Sequence, residues 1–132
     1  DGSSFSTTLS NEDFNRVLQV SDYATAVCGG APFKCDPRTE EAPKTSTYGV
    51  RCCNDTVFPG SKKRLGCNVY GGSKLGNPRS CRTSATFQEA VDICAASGAR
   101  LCTQEELLNK CAKSTGCGLN KVLVWSSEPV TN

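Results

Sequence analysis

The sequence predicts an α+β fold: a small disulfide-rich domain with a short antiparallel sheet and two or three helices. Three observations carry this prediction. Ten cysteines fall between residues 28 and 117 of a 132-residue chain. The stretch from Thr86 to Cys117 reads as helix, short strand, helix. Short β-branched and aromatic runs flank it, broken by glycine and proline turns.

Histidine is absent and no CxxC pair occurs, so a zinc site lacks its usual ligand spacing. An even cysteine count in a short chain instead reads as disulfides, here Cys28, Cys35, Cys52, Cys53, Cys67, Cys81, Cys94, Cys102, Cys111 and Cys117. Disulfides imply a secreted chain in an oxidising, extracellular setting. Cys52 and Cys53 are adjacent, so on a strand they point to opposite faces and need different partners. The length suits one domain over residues 1–132, with a modest core. The formal charge of +2 argues neither for nor against a polyanion, and no nucleic-acid partner is expected. No apolar run approaches membrane-spanning length, so no membrane insertion is expected. No signal peptide is read at Asp1, as expected of a chain already processed or trimmed.

Residues 1–9 are small and polar and read as a loose arm or an edge strand. Ser10 then caps a short helix ending near Val20, with Glu12 and Asp13 in its first turn. Cys28 to Cys35 is a small loop, closed by its own pair or pinned elsewhere. Residues 36–46 hold two prolines and mixed charges and read as a surface loop. Tyr48 to Cys53 is the best strand signal of the first half. Asn54-Asp55-Thr56 follows it as an N-glycosylation sequon. From Val57 to Ser80 the chain is turn-rich, around a strand-like piece at Cys67 to Tyr70. Lys62, Lys63, Arg64, Lys74, Arg79 and Arg82 concentrate positive charge there. That charge reads either as a solvated loop or as a patch for an acidic glycan.

The central unit has two capping boxes. In each, a threonine accepts from the amide three residues on, and the glutamate there reaches back. Thr86 with Glu89 opens the first helix, whose apolar face is Phe87, Ala90, Val91 and Cys94. Gly98 is its left-handed stop. Ala99 to Cys102 is a short strand. Thr103 with Glu106 opens the second helix, with Leu107, Leu108 and Cys111 facing inward. Lys121 to Ser127 is a closing strand. It carries the sole tryptophan, Trp125, read as core or as a sugar-stacking platform.

Enzymatic chemistry finds little support. Without histidine, Ser-His and Cys-His systems are excluded. Glu40-Glu41 and Glu105-Glu106 are sequence neighbours that do not face each other, and capping already explains the second pair. No EF-hand, phosphate loop or dinucleotide fingerprint occurs. No cofactor, metal or catalytic residue is expected.

Thr86-Phe87-Gln88-Glu89-Ala90, Cys94, Gly98 to Thr103 and Glu105-Glu106-Leu107 resemble the first helix, strand and second helix of the C-type lectin-like domain. Val122 to Ser126 is similar to the strand that follows. The chain also resembles cysteine-rich secreted modules of uncharacterised function from marine microalgae and invertebrates. In lectin-like domains the first-helix cysteine bonds a later strand, but no cysteine follows Cys117 here. The resemblance therefore implies a permuted or rewired fold, with Cys94 paired to Cys52 or Cys53. No Glu-Pro-Asn or Gln-Pro-Asp triplet is present, so calcium is not expected in the site. The expected function is an extracellular module that recognises glycan, or cell-wall or matrix polysaccharide, through Lys62, Lys63, Arg64, Tyr70, Lys74 and Trp125. The alternative is a protein-recognition or structural adhesion module.

Overall fold

A computed structural model describes residues 22–76 and 78–127. The expected helix over 10–20 lies outside these residues. The rest is a disulfide-rich arrangement of antiparallel sheets and two helices. The strands are β1 (Tyr23–Cys28), β2 (Thr39–Pro43), β3 (Cys52–Asn54), β4 (Lys62–Lys63), β5 (Tyr70–Gly72), β6 (Lys74–Leu75), β7 (Ser80–Cys81), β8 (Arg100–Leu101) and β9 (Leu123–Trp125). The helices are α1 (Phe87–Ala96) and α2 (Gln104–Leu108). Among the described residues there are three small sheets rather than one, ordered β2-β1-β9, β4-β5-β3-β8 and β6-β7.

Both capping boxes form. The Glu89 amide donates to Thr86 Oγ1 at 3.3 Å, and the Thr86 amide donates to Glu89 Oε1 at 2.8 Å. The Thr103–Glu106 pair closes at 3.0 and 2.9 Å. α1 buries Phe87, Ala90 and Cys94 and ends before Gly98, whose φ is 79°. α2 is shorter than its apolar spacing suggests. Asn109 caps it and Lys110 turns left-handed at φ 67°. Cys111 thus leaves the helix and bonds Cys67.

The two faces of β3 organise the interior. Val50 and Cys52 join one core with Phe58, Ala90, Cys94, Leu101 and Trp125. Cys53 points the other way, into a second core with Cys102, Leu107, Cys111, Ala112 and Leu119. The adjacent cysteines do take different partners: Cys52 bonds Cys94 and Cys53 bonds Cys102. Cys94 thus pairs with one of the two cysteines implied by the resemblance. Cys28 closes its own loop with Cys35, and Cys81 bonds Cys117.

Four expectations need correction. Residues 36–46 are not all loop, because β2 pairs along β1 from Thr39 to Pro43. Its one proline, Pro43, stands at the end of an edge strand, which tolerates it. The strand expected at 48–53 is shifted, with Tyr48 and Gly49 making single bridges to Ala85 and Val124. The strand expected at 67–70 runs instead through Gly71-Gly72. A Cβ there would come within 2.7 Å of the Cys111 carbonyl or 3.1 Å of the Phe58 ring, so packing demands glycine where a turn was expected. Trp125 is fully buried, its indole donating to the Ala85 carbonyl at 2.8 Å. Tyr48 and Phe87 meet it edge-on at 4.9 and 5.4 Å, so it offers no face to a sugar.

Glu106 also takes both guanidinium nitrogens of Arg100, at 2.8 and 2.9 Å. Burial alone would raise its pKa, but the Arg100 guanidinium and the Thr103 amide outweigh that and hold it below the usual carboxylate range. A depressed folded pKa stabilises above the unfolded value of about 4.3 and is lost as pH falls through the folded value. Gln at position 106 keeps the box but removes the charge. Melting temperatures of the parent and Glu106→Gln should therefore differ at neutral pH and converge on acidification below about pH 4.

Candidate functional site

The described surface holds two grooves that merit comparison. The larger, about 670 Å³, is lined by Lys34, Asp36, Glu40, Tyr48, Lys121 and Val122 among others. Burial, and then Glu40, push the Tyr48 phenol up, so it stays a hydrogen-bond donor. Its charges are mixed, so it presents no net potential to a charged ligand.

The second groove, about 590 Å³, is lined by Gly60, Lys62, Lys74, Arg79, Ser114, Thr115 and Gly116, with no acid. Its parts come from three places. The Pro59-Gly60 turn is closed by the Phe58 amide donating to Ser61 Oγ at 2.9 Å, and it delivers Lys62. Lys62 pairs with Gly71, and Gly71 with Cys53, so Lys62 shares the face of the second core. The β6–β7 hairpin delivers Lys74 and Arg79, anchored by buried Leu75 and by the Cys81–Cys117 disulfide. Two glycines make room for these side chains. A Cβ on Gly60 would lie 2.8 Å from Arg79 Nη1, and one on Gly116 would lie 3.2 Å from Lys74 Cε. Among the described residues, no carboxylate pairs with Lys62, Lys74 or Arg79.

Behind the groove lies Arg51, fully buried at 0% exposure. Its Nε donates to Ser73 Oγ at 2.8 Å, and Nη1 donates to the Gly29 carbonyl at 2.8 Å and to Asn120 Oδ1 at 3.0 Å. Nη2 donates to the Gly116 carbonyl at 3.1 Å, which ties the guanidinium to the groove wall. Ser73 Oγ in turn hydrogen-bonds Thr115 Oγ1. No carboxylate neutralises this charge among the described residues. Burial lowers its pKa to about 10, and the group still carries its proton at neutral pH.

The structure separates the residues singled out from sequence. Lys62 and Lys74 reach the groove together. Lys63 and Tyr70 lie on the opposite face of the sheet, in one row with Asn54. The Lys63 ammonium sits 5.9 Å from the Tyr70 ring centre. Arg64 is engaged with the Lys113 carbonyl at 3.1 Å. Trp125 belongs to the core. Arg82 lines a separate groove with Glu89 and Asp92. Arg79 belongs to the basic stretch but not to the expected ligand residues, and Ser114, Thr115 and Gly116 carry no signal in the sequence. Arg51 was detectable: it stands between Val50 and Cys52 in a strand with both faces buried, where a charge needs a reason. The sulfurs of Cys53 and Cys102 lie within 4.8 Å of a Glu106 oxygen. They are bonded to each other, and Arg100 holds the carboxylate, so the trio has no thiolate to offer a metal.

No family model, no curated protein and no solved structure matches the chain. What the fold and the groove define, among the described residues, is a disulfide-rich protein of mixed α and β structure, of a kind typical outside the cell, with an acid-free basic groove.

Arg51→Lys tests the support behind that groove. Lowering the arginine pKa by burial costs on the order of 3 kcal/mol, and hydrogen bonds at about 1.5–3 kcal/mol each for a charged donor offset it. An ammonium cannot fork to four separated acceptors. The variant should lose about 2–4 kcal/mol of stability in denaturant melts with the disulfides intact.

Proposed function

We propose that the protein is a secreted recognition module that binds acidic polysaccharide without calcium, through Lys62, Lys74 and Arg79. The observation that carries this is the convergence of three cations, none with a carboxylate partner, on one groove that holds no acid. Solvated lysines scattered over a surface do not converge in this way, and charge of one sign in a concavity concentrates counter-ions. The lectin-like resemblance of residues 84–127 supports the same reading from sequence. With Trp125 buried and Tyr70 on the other face, recognition rests on the acidic substituent rather than on stacking of the sugar ring. Five disulfides favour secretion. A glycan on Asn54 would share the face of Tyr70 and Lys63 and leave the groove open.

A second reading is protein recognition. It draws on the exposed apolar side chains Phe33, Val57, Leu65 and Val122. Arg38 already stacks on Phe33, at 5.9 Å from its ring centre.

The oxidised protein should bind heparin or dextran sulfate at low salt, unchanged by a chelator. Replacing Lys62, Lys74 and Arg79 together by alanine should weaken binding by about 100-fold, at on the order of 1 kcal/mol per cation. The dependence on log salt should flatten by two to three counter-ions, at roughly one per cation removed. Replacing Lys63 and Arg64 should change affinity far less. Failure to bind any acidic polysaccharide at low salt would sink the proposal.

A further inference from the structure

The wall of the groove is built unusually. The Thr115 and Gly116 amides donate to no acceptor among the described residues, although Thr115 is buried and Gly116 half-buried. An amide without a protein partner is free to donate to a bound acceptor. Four of the five residues from 114 to 118 have positive φ: Ser114 at 62°, Gly116 at 104°, Cys117 at 68° and Gly118 at 66°. The alternation across Ser114, Thr115 and Gly116, where Thr115 alone lacks a positive φ, is of the kind that gathers successive amides into a concavity suited to anions. Ser114 and Cys117 carry a Cβ, so they adopt that conformation at a cost.

The loop is held there from three sides. Asn120 Oδ1 accepts from the Ser114 amide at 2.9 Å. The buried Arg51 guanidinium donates to the Gly116 carbonyl. Cys81 bonds Cys117. Strain imposed by so many restraints, beside amides left unpaired, points to a use for the loop beyond packing.

We propose that residues 114–116 are a seat for a tetrahedral oxyanion, so that the groove takes a sulfate or phosphate monoester in preference to a carboxylate. This rests on the acidic-polysaccharide reading and specifies the group that is read. A monoester presents three terminal oxygens. Lys62, Lys74 and the planar guanidinium of Arg79 line the same groove as residues 114–116. A carboxylate has two oxygens in one plane and leaves donors unpaired, which costs affinity. Arg51 adds an uncompensated positive charge directly behind the seat, where low dielectric strengthens its field.

The test uses isotope-labelled, oxidised full-length protein and amide NMR, with sodium sulfate, phosphate and acetate as probes. It is paired with affinities for dextran sulfate, a phosphorylated mannan and polygalacturonate at matched charge density. Sulfate or phosphate should shift the Thr115 and Gly116 amides saturably, and the ester polymers should bind about tenfold tighter than polygalacturonate. The relative strength of the sulfate and phosphate arms identifies the source of the ester. Gly116→Ala, whose Cβ would meet Lys74, should erase the ester preference. Gly118→Ala, at φ 66°, places its Cβ in open space and should keep the preference. Equal binding of all three polymers with unmoved amides would overturn the oxyanion seat while leaving the acidic-polysaccharide reading intact. Binding of none would overturn that reading itself.

Discussion

The interaction on which the rest depends is the buried guanidinium of Arg51. It has no carboxylate partner among the described residues, so carbonyl and hydroxyl oxygens must replace its hydration. Those oxygens come from the 28–35 loop, the residue after β5, and the segment between α2 and β9. None of these three pieces is long enough to fix the others by packing. The cost of burying a charge without hydrogen bonds is far above what so small a domain can bear. Any arrangement that releases one acceptor is therefore penalised, and the guanidinium acts as a template for its surroundings.

The same strand then divides the molecule. Strand alternation places Arg51 and Cys53 on one face and Val50 and Cys52 on the other. The adjacent disulfides pull α1 onto the first face and the start of α2 toward the second. Two modest cores result, and neither would hold alone. Each bridge contributes on the order of 2–4 kcal/mol by restricting the unfolded chain. The bridges thus stand in for the apolar area that 132 residues split between two faces do not supply.

This explains what was legible in the sequence. Local rules were readable where local chemistry decides. Both capping boxes, the Gly98 stop and the divergence of Cys52 and Cys53 follow from residues within a few positions of one another. The misplacements arose where distant packing overrides a local preference. Gly71-Gly72 looks like a turn, yet becomes strand because the Ala112 backbone and the Phe58 ring press against it. Thr39 to Pro43 looks like a loop until β1 offers its edge. Trp125 sits where a platform is plausible, but Tyr48, Phe87 and the Ala85 carbonyl enclose it. The basic stretch was visible as composition only. Register decides which of its charges meet, and register was not readable from Lys62-Lys63 alone.

The groove also lies where the molecule is least able to pack. The β6–β7 hairpin pairs over two residues per strand and buries one large side chain, Leu75. A hairpin that short does not hold its shape unaided. Its basic side chains can keep a fixed distance from the 114–116 loop only if something else sets that distance. Cys81–Cys117 does so from one end, and Arg51, through Ser73 and Gly116, from the other. The charge that templates the interior is thus the same charge that positions the groove wall. One guanidinium thus ties the interior to the groove wall, which an apolar side chain at position 51 could not do.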